Sequence, residues 1–136
     1  NQLKLVDRRG GNGLHAAGLF DRNGVLQVAA EDVGRHNAVD TIAGWMAMND
    51  VSGHYKVFYT TGRLTSEMVI KSAQMGVPIA VSRSGITQMG LEVAQRVDLC
   101  AIGRATNKRF LCFSAAHRLI WQTELAEPSV KSIAHD

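Results

Sequence analysis

The sequence predicts one α/β domain, a three-layer α/β/α sandwich on a mostly parallel sheet. Short runs rich in β-branched and aromatic residues alternate with longer segments whose apolar residues recur at helical spacing, in the order β-β-α-β-α-β-α-β-β. Successive β-α-β units demand parallel strands joined by right-handed crossovers, which lay helices over the sheet. The 136 residues, 46% of them hydrophobic, suffice for one core without disulfides or metals.

The elements follow in order. Gly13 to Phe20 reads as a first strand, Asp21-Arg22-Asn23-Gly24 as a tight turn, and Val25 to Ala30 as the second strand of a hairpin. Arg35 to Met48 places Val39, Ile42 and Met46, with Ala38 and Ala43 beside them, on one helix face. Lys56 to Thr60 is a short strand. Thr65 to Met75 reads as a helix with Thr65 as N-cap, Glu67 in the first turn, and Gly76 and Pro78 ending it. Ile79 to Val81 is a strand, and Ile86, Met89, Val93 and Val97 recur at helical spacing after it. Leu99 to Ile102 and Phe110 to Phe113 are the last two strands. No internal repeat or linker interrupts residues 1–121, which form the domain; residues 122–136, with Pro128, form a polar tail expected to fray.

Composition excludes several classes. No apolar run approaches the ~18 residues of a membrane helix. Asn1 to Gly10 is polar and lacks a signal-peptide pattern. Cys100 and Cys112 each sit inside an apolar run, as reduced, packed thiols of a cytoplasmic protein do. A net charge of +3 is too small to imply a nucleic-acid groove. Neither membrane nor nucleic acid is an expected partner.

The chemistry concentrates in the loops. Parallel sheets bind ligands outside the carboxyl ends of their strands. Those ends carry Glu31-Asp32-Val33-Gly34-Arg35-His36-Asn37, then Thr61-Gly62-Arg63 leading into Thr65-Ser66-Glu67, then Ser82-Arg83-Ser84-Gly85, then Gly103-Arg104. Each loop offers a glycine for close approach and an arginine whose fork suits phosphate. Three lead into a helix, whose free N–H groups favour an anion. The expected ligand therefore bears phosphate, and the parallel topology would bring all four loops to one edge. His36 joins them at a helix start. His15 could face the site or serve the hairpin. Arg104-Ala105-Thr106-Asn107-Lys108-Arg109 is read as a cationic loop clamping phosphate or a base edge.

A chemical engine is harder to find. The zinc-deaminase signature, His-x-Glu followed by Pro-Cys-x-x-Cys, is missing in both halves, so no zinc is expected. Ser66 and Ser84 stand at predicted helix starts, where capping accounts for them, and neither lies in Gly-x-Ser-x-Gly.

These residues resemble the formate dehydrogenase accessory sulfurtransferase family (FdhD). The resemblance rests on Gly13-Leu14-His15-Ala16-Ala17, on Glu31 through Asp40 (EDVGRHNAVD), on Gly62 through Val69 (GRLTSEMV) and on Lys71 through Pro78 (KSAQMGVP). It covers roughly residues 10–120. It implies a cytidine-deaminase-like fold without the zinc site. It also implies a role: sulfur passes from a cysteine desulfurase to the molybdenum (or tungsten) bis-pterin guanine dinucleotide cofactor, which then enters formate dehydrogenase. On this reading Arg104–Arg109 matches the family's nucleotide-contacting loop. His15, Asp32, Gly34, Arg35, His36, Asn37, Gly62, Arg63, Arg83 and Ser84 line the cofactor-binding edge. A homodimer is plausible from the family alone. The chain departs from the pattern twice. The family's sulfur-carrying Cys-x-x-Cys is not among its residues and is expected upstream, as in a C-terminal portion of a longer protein. The Arg104–Arg109 segment also lacks the family's glycine. Two other classes stay open: a nucleotide hydrolase or deaminase using the same edge, and a non-catalytic interaction module presenting Trp45, Met46 and Met48.

Overall fold

The computed structural model of the chain describes residues 14–106 and 109–118, with residues 104–106 and 109–110 as backbone. Six strands and three helices alternate: β1 His15–Phe20, β2 Leu26–Asp32, α1 Arg35–Met48, β3 Val57–Thr60, α2 Ser66–Gln74, β4 Ile79–Ser82, α3 Gln88–Val97, β5 Cys100–Thr106 and β6 Arg109–Cys112. The predicted order is found.

One sheet in the order β2-β1-β3-β4-β5-β6 holds the strands together. It is mixed. Only the β3–β4 and β4–β5 pairings are parallel; β1 is antiparallel to both neighbours, and β6 returns antiparallel on β5. The expected mostly parallel sheet is corrected for a topological reason: the β2-α1-β3 crossover steps over β1, which fills the gap in the opposite direction. Four strands (β2, β3, β4, β5) still run one way.

These four advance across the sheet in a single sense. Right-handed crossovers taken in one sense land on one face. Ala17, Leu19, Phe58, Ala80 and Ala101 alternate onto that face and bury against Val39, Ile42 and Met46 of α1, Met68 and Val69 of α2 and Ala94 of α3. The described helices and sheet thus form two layers, where the sequence predicts three. The sheet's other face carries a smaller cluster of Ile79, Cys100 and Ile102 with Val57, Val81, Cys112 and Ala115.

Boundaries differ in instructive ways. β2 runs on through Glu31 and Asp32, expected in a loop, because β1 is long enough to pair them, His15 opposite Asp32. β5 runs on through Thr106 and β6 begins at Arg109, with Thr106 opposite Arg109 across an irregular register. Within the Arg104–Arg109 segment, Arg104 to Thr106 therefore belong to β5 and Arg109 to β6, and Gly103 too lies within a strand. The predicted turn at Asp21 is found: its Oδ1 accepts from Asn23 N and Val25 N, and Gly24 takes the left-handed conformation at φ 81°. The apolar face expected on α3 is overturned in part. Met89 and Val97 are exposed, while the small residues Gly90 and Ala94 are buried, because this helix approaches its neighbours too closely for large side chains. Trp45 and Met46 pack into the core and Met48 stands apart from them, 87% exposed, so these three make no common patch. Among the described residues no helix is long and apolar enough to cross a membrane.

Candidate functional site

Because β2, β3, β4 and β5 are co-directional, Asp32, Thr60, Ser82 and Thr106 all end at one edge. β1 runs the other way, so its first residue, His15, reaches the same edge. That resolves the two roles left open for it: His15 belongs with the loops.

Two of the loops are twins. β3 pairs with β4 so that Thr60 lies opposite Ser82, and beyond the strands Leu64 bridges Ile86 at the same offset. The helices that follow are capped alike: Thr65 Oγ1 accepts from Met68 N, and Thr87 Oγ1 accepts from Gly90 N. At each strand end a buried hydroxyl organises the turn. Thr60 Oγ1 accepts from Gly62 N at 3.1 Å. Ser82 Oγ accepts from Ser84 N at 3.1 Å and Gly85 N at 3.0 Å, and donates to Gly62 O at 2.6 Å. The last bond ties the two loops together, reinforced by Ser84 Oγ donating to Thr61 O and Arg83 N donating to Thr60 O. No repeat is visible in the residues, since only the backbone plan recurs. The sequence names Ser82 only as part of a polar loop and Thr60 only as a strand end; the one signal for their role is a hydroxyl at the same distance before two Thr-capped helices.

The edge is packed around Gly62. A Cβ there would meet His15 Nδ1 at 3.3 Å and Arg35 Cβ and Cδ at 3.4 Å, so glycine lets strand β1 and helix α1 close on the loop. Next to it, Asp32 Oδ1 accepts from Gly34 N at 3.0 Å and from Asn37 Nδ2 at 3.3 Å. The Gly34 N–H, then the Asn37 amide, hold the Asp32 carboxyl below the usual carboxylate range. Helix α1 starts at Gly34 with no side-chain cap, unlike the other two. His36 Nε2 stands 3.6 Å from Glu67 Oε1, joining α1 to α2. The sequence shows Glu67 as a first-turn acid within the polar strand-end stretch, without assigning it to the site. Arg35 Nε and His36 Nδ1 are buried and have no hydrogen-bond partner in the described structure. Two such atoms on consecutive residues at an uncapped helix start are polar capacity that an incoming group can use.

The predicted residues thus divide. His15, Asp32, Gly34, Arg35, His36, Asn37 and Gly62 form one contiguous group. Arg63, Arg83 and Ser84 sit beside it on the twin loops, with Arg63 and Ser84 exposed. Ser84 bonds across loops and caps no helix, which corrects its predicted place; Thr87 is the cap. The backbone of Arg104 to Thr106 continues from Gly103, opposite Ser82, and so borders the group. Asn107 and Lys108 lie outside the described residues. A cleft of about 310 Å³, lined by Val39, Ala43, Met46 and Met75 among others, opens between α1 and α2. Lys71 and Asp40, 2.9 Å apart, face it, away from the loop edge.

A mixed α/β domain carrying its polar loops above four co-directed strands, with no zinc signature in its sequence, defines the class. The chain belongs to the FdhD/NarQ family, whose profile its residues 4–120 match. It is 38% identical over 108 residues to the sulfur carrier protein FdhD of Nocardia farcinica, covering 79% of this chain and 39% of that protein. The sulfur carrier protein FdhD of Bacillus subtilis is 34% identical over 107 residues, covering 79% and 40%. A crystal structure described as a formate dehydrogenase accessory protein from Desulfotalea psychrophila superposes with a TM-score of 0.79 at 39% identity, over 86% of this chain and 51% of that one. The chain thus spans about two fifths of the length of the curated relatives it matches.

Proposed function

We propose that this chain is the cofactor-facing part of a sulfur carrier that serves formate dehydrogenase in the cytoplasm. Its cargo is the molybdenum (or tungsten) bis-pterin guanine dinucleotide cofactor. The guanine dinucleotide end lies along the loop edge, where Arg63, Arg83 and the Arg104–Arg109 segment meet its phosphates. The unpartnered Arg35 Nε and His36 Nδ1 supply directional contacts. Sulfur reaches the cofactor from a cysteine desulfurase through a Cys-x-x-Cys thiol that the family resemblance places in the portion of its relatives this chain does not span. What the cofactor supplies is the metal that accepts sulfur; this chain's residues bind, orient and neutralise.

The observation that carries the reading is the convergence of His15, Arg35, His36 and the twin loops on one edge, with two buried nitrogens left unpartnered there. Calorimetric titration with GDP, against ADP and inorganic phosphate, tests it. GDP is expected to bind best. Arg63→Ala should weaken it about 10- to 100-fold, the loss of one charge-assisted pair. Equal affinity for all three ligands, or an Arg63→Ala variant that binds GDP as the parent does, would sink the assignment.

A further inference from the structure

The edge opposite the loops holds both cysteines. Cys100 opens β5 and Cys112 closes β6. The strands are antiparallel with Ile102 opposite Cys112, so Cys100 lies one diagonal step away on the same face. Their sulfurs are 3.6 Å apart. The chain just after Cys112 is fastened to β5: Phe113 N donates to Ala101 O at 2.7 Å, while Ser114 Oγ donates to Leu99 O at 2.6 Å and accepts from Ala101 N at 3.2 Å. The two thiols differ in access. Cys100 is buried among Ile79 and Ile102, whereas Cys112 is partly exposed on the strand that ends the sheet.

We propose that Cys112 and Cys100 form a thiol–disulfide exchange site for small-molecule disulfides, Cys112 attacking and Cys100 resolving. The asymmetry suits the roles. The Cys100 thiol, hydrogen-bonded to Cys112, brings the latter down to about 7, and the same hydrogen bond together with burial pushes Cys100 up. The more exposed Cys112 then has a substantial thiolate fraction near neutral pH, the form that attacks. With glutathione disulfide, the Cys112 sulfur bonds one glutathione sulfur, the S–S bond breaks, and one glutathione thiolate leaves and takes up a proton. Capping Cys112 removes the charge that held the Cys100 proton. Cys100 then releases that proton and attacks Cys112 Sγ; the second glutathione leaves as its thiol. Two protein thiols are oxidised and one glutathione disulfide is reduced to two thiols. The sulfurs need to close from 3.6 Å to about 2 Å to form the bond.

Incubating the purified chain with glutathione disulfide at pH 7, followed by intact-mass and peptide analysis, tests the proposal. A transient single adduct on Cys112 is expected, then a species lighter by two hydrogens containing a Cys100–Cys112 bond, reversed by added glutathione. Cys100→Ser should trap the adduct on Cys112. A test without substitutions uses iodoacetamide on the parent chain. Cys112 should alkylate first, with a rate rising through pH about 7. At pH 7 it should react roughly fivefold faster than an ordinary thiol, after allowing for the lower nucleophilicity of a less basic thiolate. Adducts accumulating on both thiols without closure, no reaction at either, or Cys100 labelling first would each overturn it.

Discussion

The β3–α2 and β4–α3 units share a backbone plan and spend their equivalent positions differently. Both have a buried hydroxyl at the strand end, a bridge residue and a threonine cap, in register. Yet where α2 sends Met68 into the core with no exposure, α3 has Gly90, at which a Cβ would strike the Leu64 carbonyl oxygen. The first unit contributes core; the second leans on the first. The hydroxyls differ too. Thr60 serves one turn donor, whereas Ser82 serves two donors and also holds the neighbouring loop by the Gly62 carbonyl. The same local motif thus acts as a pillar in one place and as a clasp in the other, according to what stands beside it.

The contrast can be broken at its largest difference first. Met68→Ala should destabilise by about 2–5 kcal/mol, as deletions from a filled core do. Gly90→Ala, which adds one methyl, should cost about 3 kcal/mol, since backbone and not a yielding side chain receives it. Urea unfolding midpoints would show both; a neutral Gly90→Ala would mean that α3 can shift away and that the units are not interlocked. Next come the hydroxyls. Ser82→Ala should lose about 2 kcal/mol, leaving two donors and a carbonyl short of a partner, and Thr60→Val about 1 kcal/mol. Equal losses would erase the distinction between clasp and pillar. The Ser82 change should also raise hydrogen exchange at Ser84 and Gly85.

The smallest effect belongs to the first loop, outside the twin units. Asp32 has its folded pKa below its unfolded value, so its contribution is fully present above the unfolded pKa and fades as pH falls through the lowered folded one. Asp32→Asn should therefore narrow the stability difference between pH 7 and pH 3 while leaving α1 formed. An acid limb identical to the parent's would remove Asp32 from the loop's hydrogen-bond scheme.

Some of this was readable from residues. The face of α1 was, because Val39, Ile42 and Met46 repeat at the helical period with nothing to compete. Thr65 was legible as a cap because capping is a local bond from a side chain to the backbone three residues on. The α3 face was read half right: Ile86 and Val93 pack against the core, but Met89 and Val97 are exposed and the closest contact is made through Gly90 and Ala94. Hydropathy sees size and polarity; it does not see how near another backbone passes. Arg104–Arg109 was rightly read as joining the last two strands, but the strand ends there were read short for a related reason, since strand length depends on the partner available for pairing.

The sequence by itself determined the order of elements, the hairpin turn at Asp21, the capped helix α2 and the concentration of arginine and glycine at strand ends, all of which rest on bonds and periods within a few residues. Only the tertiary structure decided that β1 inserts between β2 and β3, that the three described helices share one face, that His15 and Arg35 both close on Gly62, and that two cysteines on neighbouring strands come within 3.6 Å. Strand pairing joins residues far apart in the chain, and no local preference records which partner a strand will find.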